Sequence, residues 1–106
     1  MARIRYSVTA RNDLGQIYQH IREQSGSGET ARRFVHELRQ KCHALAAAPI
    51  VMGHPRTELR PGLRSHPHKS YVIFFRHLDD VLEIVNVIEG HRDIPALFGK
   101  HEYLSS

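Results

Sequence analysis

A Ser25-Gly26-Ser27-Gly28 break sits between two stretches whose apolar residues recur at helical spacing, and this arrangement constrains the fold more than any other feature. Before the break, Ala10, Leu14, Ile17, Tyr18 and Ile21 line one helical face, with Thr9 as the expected N-cap. Gly15 weakens that helix by about 1 kcal/mol relative to alanine without removing its stripe. After the break, from about Glu29, one face carries Ala31, Phe34, Val35, Leu38, Cys42 and Leu45. Pro49 ends this second helix, because the residue before a proline disfavours the helical region. Two amphipathic helices joined by so short a turn make an antiparallel hairpin.

The flanks read differently. Ile4, Tyr6 and Val8 alternate with Arg3, Arg5 and Ser7, the period of a half-buried strand. Pro55 and Pro61, with Pro67 just beyond, mark residues 50–61 as an irregular connection. Residues 63–66, 71–76 and 81–89 read as three strands, with a hairpin turn at 77–80 between the last two. Pro95 ends the strand region, and Leu97, Phe98 and Tyr103 are suited to pack a short tail onto the body. The order is β-α-α-β-β-β, an α+β chain, and residues 1–106 are expected to form one domain. A chain of this size buries roughly 65% of its unfolded surface, enough for one modest core. No run of about 18 apolar residues occurs, and charges stand where a signal peptide needs its apolar stretch, so a cytoplasmic protein without membrane contact is expected.

Charge narrows the function classes. The net charge is +4, and arginine outnumbers lysine 12 to 3. Residues 54–76 carry Arg56, Arg60, Arg64, Lys69 and Arg76 against Glu58, whereas residues 77–106 have a balance of −4. A basic segment of this kind fits an acidic partner, either nucleic acid or an acidic protein, or is simply a solvated strand pair. Cys42 is the only cysteine and lies on an apolar helix face, so neither a disulfide nor a cysteine metal cluster is expected. Nine histidines invite a zinc site, but no spacing matches one, and Pro67 disturbs the His66/His68 pair. No metal and no cofactor are expected. A G-x-S-x-G elbow and a phosphate-cradling Gly-rich loop are both missing from the sequence.

Arg64, Lys69, Arg76, His91 and Arg92 remain as candidates for chemistry. Which of them share a face depends on strand register, and a one-residue slip reverses the answer. Metal-free RNA cleavage needs a base for the 2′-OH, cations for the phosphate and an acid for the leaving oxygen. Arg64, Arg76 and Arg92 are the cations available, His66, His68 or His91 the base, and Tyr103 the acid.

These residues resemble a known family. Ala10, Asp13, Leu14 and Ile17 follow the A-x-x-D-L-x-x-I pattern of ParE-type toxins in the RelE/ParE superfamily. Leu45, Pro49 and Gly53 resemble the family's L-x-x-x-P-x-x-G helix exit, and Glu58 to Ser65 its E-L-x-x-G-L-R-S segment. Tyr71 to Arg76 is similar to the Y-x-I-x-Y-R strand, and Val87 to Asp93 to V-L-H-G-x-R-D. The resemblance implies a helical hairpin packed on a small antiparallel sheet. It also implies a bacterial toxin encoded beside an antitoxin, acting on DNA gyrase in the ParE branch and on ribosome-bound messenger RNA in the RelE branch. This chain departs from the nuclease pattern: Lys69 is the only lysine in the strand region, Phe74-Phe75 replaces tyrosine, and Glu89 takes the usual histidine position.

The implied activity is therefore gyrase inhibition, without catalysis, ahead of a RelE-type endonuclease and a non-toxic binding module. The implied partners are gyrase and a ParD-like antitoxin with an acidic, partly disordered tail, the pair forming a hetero-oligomer. Target contact falls to Arg64, Lys69, Arg76 and Arg92, and antitoxin contact to Tyr18, Ile21 and Phe34 on the hairpin. An internal role, as an ion pair pinning the strand end, competes for Arg64 and for Arg92 with Asp93.

Overall fold

In a computed structural model, which describes the backbone of residues 2–105 and the side chains of residues 2–99, the α+β order expected from the sequence is present with two additions. The elements run β1 (Arg3–Tyr6), α1 (Val8–Ser25), α2 (Gly28–Ala47), β2 (His54–Pro55), β3 (Arg64–His68), β4 (Tyr71–Leu78), β5 (Val81–Glu89) and α3 (Ile94–Ser105). The additions are β2, inside the stretch read as irregular, and α3 at the tail.

The hairpin forms for local reasons. Ser7, not Thr9, caps α1: its backbone is extended and its hydroxyl accepts the Ala10 N–H at 2.9 Å. The same hydroxyl donates to the Val85 carbonyl at 2.7 Å, so one side chain starts the helix and ties it to β5. Val8, assigned to the strand by its alternation, is the first helical residue and is 72% exposed. Gly26 closes α1 in the left-handed region at φ +69°, where its missing Cβ matters, and its N–H returns to the Arg22 carbonyl. Ser27 then caps α2 by accepting the Thr30 N–H at 3.1 Å. At the far end Ala48 is already extended ahead of Pro49, as expected.

The sheet has the order β1-β5-β4-β3-β2. It is mixed rather than antiparallel, because β1 pairs parallel to β5, from Arg3 opposite Val81 to Tyr6 opposite Ile84. Alternation along a strand is the same for either direction, so only the path of the hairpin between the two strands sets this. The remaining pairs are antiparallel. β3 runs later than 63–66 and includes Pro67, which is tolerated because β2 covers only Arg64 and Ser65 and leaves Pro67 on an open edge. β4 extends through Leu78, which shortens the turn to Asp79-Asp80, with Asp79 at φ +55°.

One irregularity in β5 organises both layers. Phe74 pairs with Asn86 and Phe75 with Ile84, so Val85 is an extra residue, a β-bulge. Leu82, Ile84 and Val87 therefore face the hairpin, packed with Leu14, Ile17, Leu38, Cys42, Ile73 and Phe75. Val85 and Ile88 face the opposite side, in a second core with Leu59, Leu63, Phe74, Ile94 and Phe98. The connection read as irregular supplies part of that second core. Gly53 seats the same connection against the hairpin-side core: a Cβ there would lie 2.7 Å from the Phe75 ring and 2.8 Å from the Ser65 carbonyl, at a φ of +83°.

Asp13, from the first turns of α1, holds the bulge. Its carboxylate accepts the Val87 N–H at 2.9 Å and the Asn86 side-chain amide at 3.3 Å. Asp13→Ala strands a partly buried N–H and should lower unfolding stability by roughly 2 kcal/mol. A urea melt checks this, and an unchanged midpoint would show that the clamp contributes nothing.

Candidate functional site

Register settles which sequence-derived candidates share a face. Arg64 lies opposite Phe75 and therefore on the hairpin side of the sheet. Its Nε donates to the Met52 carbonyl at 2.8 Å and its Nη2 to the Gly53 carbonyl at 2.9 Å. This fork holds the connection into β2, an internal role made with carbonyls rather than as an ion pair. Arg76 lies on the other face, where its Nε donates to Glu83 at 2.8 Å. Glu83 also receives Arg5 from β1, at 3.1 Å, and is 13% exposed.

Lys69 sits in the β3–β4 turn at φ +56° and donates to Glu37 of α2 at 2.9 Å. Its ammonium lies 5.3 Å from the centre of the Phe34 ring. The hydrogen bond and charge of Lys69 hold the Glu37 carboxyl below its ordinary range. His66 and His68 share the hairpin side, through their partners Ile73 and Tyr71. His68 approaches Glu37 at 3.8 Å and packs edge-on against Phe34. Burial lowers the His66 imidazole's proton affinity, and the charges of Lys41 and His68 lower it further.

His91 and Arg92 follow β5. His91 is exposed and pairs with Glu89. The Arg92 side chain has no carboxylate partner among the described residues, and Asp93 instead accepts the Ala96 N–H at 3.3 Å at the start of α3. The Tyr103 side chain lies outside the described residues. Tyr71 pairs with Glu89, so the loop bearing His91 and Arg92 is beside the first residue of β4. Arg76 is five residues further along, roughly 17 Å away at about 3.3 Å per residue.

Two concave surfaces accompany these residues. A cleft of about 350 Å³ lies between α1, the end of β5 and α3, lined by Asp13, His20, Asn86, Glu89, Arg92 and Phe98 among others. A shallower groove runs along the hairpin, with Tyr18 and Val35 beside Arg32, His36 and Arg39. Of the three expected antitoxin contacts, Tyr18 is in this groove, whereas Ile21 and Phe34 pack against the core of the hairpin side. Sequence reasoning passed over Asp13 as a clamp and Glu83 as a bridge between two arginines. Glu83 left a signal, since a lone carboxylate inside an apolar strand run calls for a cation on a neighbouring strand.

Two expectations follow from this geometry. Arg64→Ala should cost about 1–2 kcal/mol and speed amide exchange in residues 52–54, and Arg64→Lys should not restore either, since an ammonium cannot span both carbonyls as the fork does. Unaltered melting and exchange would remove the structural role. For His66, the unfolded chain binds a proton more readily than the folded one, so stability is lost as pH falls from above about 6.5 through the lower folded value. Between about pH 7.5 and 5.5 the melting temperature of the unaltered chain should therefore fall further than that of His66→Gln. Equal falls would contradict it.

The relatives of the chain agree with this architecture. Residues 4–94 match the family model described as the ParE toxin of the type II toxin–antitoxin system, parDE. The chain is 26% identical over 100 residues to Toxin ParE3 of Caulobacter vibrioides, a span covering 94% of this chain and 98% of that protein. A solved structure described as the chromosomal ParDE TA system from P. aeruginosa shares the fold, with a TM-score of 0.74 at 23% identity, over 84% of this chain and 96% of that one. With the family model spanning β1 to the start of α3, this chain belongs to the ParE toxin family of type II toxin–antitoxin systems.

Proposed function

We propose that this toxin acts by binding DNA gyrase rather than by cutting messenger RNA, and that an acidic, partly disordered, ParD-like antitoxin neutralises it in a hetero-oligomer. The observation that carries the target reading is the dispersal of the candidate catalytic groups. Cleaving RNA without a metal requires base, acid and cations within hydrogen-bonding reach of one phosphate. Here His66 and His68 share the hairpin side with Arg64 and Lys69, but Arg64 clamps two carbonyls and Lys69 is bonded to Glu37, while Arg76 is bonded to Glu83 on the other face. His91 is paired with Glu89 at the opposite end of β4 from Arg76.

The hairpin groove supports the antitoxin reading. Tyr18 and Val35 line it together with Arg32, Arg33, His36 and Arg39 against one carboxylate, Glu29, which pairs with Arg33; this balance suits an amphipathic acidic segment that folds as it docks. The place of action is then the cytoplasm, where gyrase and chromosome are. No described helix is long and apolar enough to cross a membrane.

The test is to express the chain without antitoxin and read plasmid topology and messenger RNA in the same culture, then repeat both with purified components. Growth arrest, altered supercoiling or cleaved plasmid, and intact messages are expected. Cleaved messages with normal supercoiling would overturn the gyrase reading in favour of the nuclease. Normal growth would leave a non-toxic binding module.

A further inference from the structure

The sheet face opposite the hairpin gathers four arginines besides Arg76. Register sets Arg5, Glu83 and Arg76 side by side on β1, β5 and β4. One carboxylate is shared: Arg5 reaches Oε2 and Arg76 reaches Oε1. Arg76 hydrogen-bonds through Nε alone, so its outer Nη groups have no hydrogen-bond partner among the described residues. Arg3, two residues before Arg5 and on the same side, makes only an exposed pair with Asp80 at 3.4 Å. On the other flank the guanidinium of Arg56 lies 5.6 Å from the centre of the Phe74 ring, and that of Arg60 lies 5.3 Å from the centre of the Phe98 ring. Both rings belong to the second core, so these forks lie on the same face. Arg56 also pairs with Glu58, whereas Arg60 has no carboxylate partner among the described residues.

The result is a track of five arginines crossing the sheet, against Asp80, Glu83 and Glu58. Both lysines with described side chains, Lys41 and Lys69, are on the hairpin side. Planar forks set beside rings or braced by a shared carboxylate suit phosphate oxygens better than mobile ammonium groups do. With strands about 4.8 Å apart, five strands span roughly 20 Å, a length over which a duplex carries on the order of ten charges.

We infer that this track binds the phosphate backbone of duplex DNA, with Glu83 as a built-in attenuator that aligns Arg5 and Arg76 while cancelling one positive charge. The choice of duplex over single strand rests on the gyrase reading, since gyrase holds duplex DNA. The toxin then meets its target as an enzyme–DNA complex, with one contact to each component.

Fluorescence anisotropy of the full chain with a labelled duplex, and with a single-stranded RNA of the same length, across a salt series tests this. Tighter binding to the duplex is expected, and Arg5→Gln and Arg60→Gln should each weaken it several-fold and reduce the salt slope by about 1. Glu83→Gln should strengthen duplex binding several-fold, an outcome that a purely structural bridge does not produce. A urea melt of each variant keeps misfolding separate from lost contact. Preference for RNA, unchanged binding in the arginine variants, or weaker binding by a folded Glu83→Gln chain would overturn the inference. Plasmid supercoiling by gyrase separates the two readings. A chain that stops gyrase without binding duplex overturns the DNA surface alone, and one that binds duplex through this track without affecting gyrase overturns the target reading alone.

Discussion

The extra residue in β5 is the constraint around which the rest of the molecule is arranged. Without the bulge, strict alternation through Val85 would send Leu82, Ile84, Asn86 and Ile88 to the hairpin, placing a buried amide in the main core. With it, Val87 replaces Asn86 on the hairpin side and Ile88 turns to the second core. A bulge leaves backbone groups out of the ladder, each worth roughly 1–3 kcal/mol if buried unmet. Ser7 takes the Val85 carbonyl and Asp13 takes the Val87 N–H. One partner is the N-cap of α1 and the other lies in its second turn, so the bulge, the parallel pairing of β1 and the docking of α1 form one cooperative unit.

This explains what the family resemblance can and cannot carry. Asp13 clamps the bulge, Gly53 fits where no side chain can, and Arg64 binds the carbonyls beside that glycine. Residues that look like a functional signature are thus largely architectural, so they identify the fold and family firmly while saying little about the target. The target has to be argued from side chains the architecture leaves available, and on the far sheet face these are mostly arginines held by rings or by a shared carboxylate.

Much of the fold was legible along the chain. The helical spacing around the Ser/Gly break, the stop before Pro49 and the span of β5 are local properties, set by side-chain period and backbone preference. Thr9 was a reasonable cap by residue type, but Ser7 has a second acceptor waiting in the bulge, which no local pattern displays. β2 was hidden because two residues containing a proline carry no strand period. The covering of the second face by Leu59, Leu63 and Phe98 was hidden because these apolar residues lie in a loop and a short helix without a distinct stripe.

The sequence by itself determined the helical hairpin and the longer strands, the basic character of residues 54–76 and the family resemblance. Each follows from properties that neighbours in the chain express without reference to the rest. Only the tertiary structure decided that β1 runs parallel to β5, that Arg64 and Arg76 lie on opposite faces, and which acid or ring holds each cation. Alternation repeats every two residues and is blind to direction and register. A charge in a sequence likewise carries no record of the group that folding will set across from it.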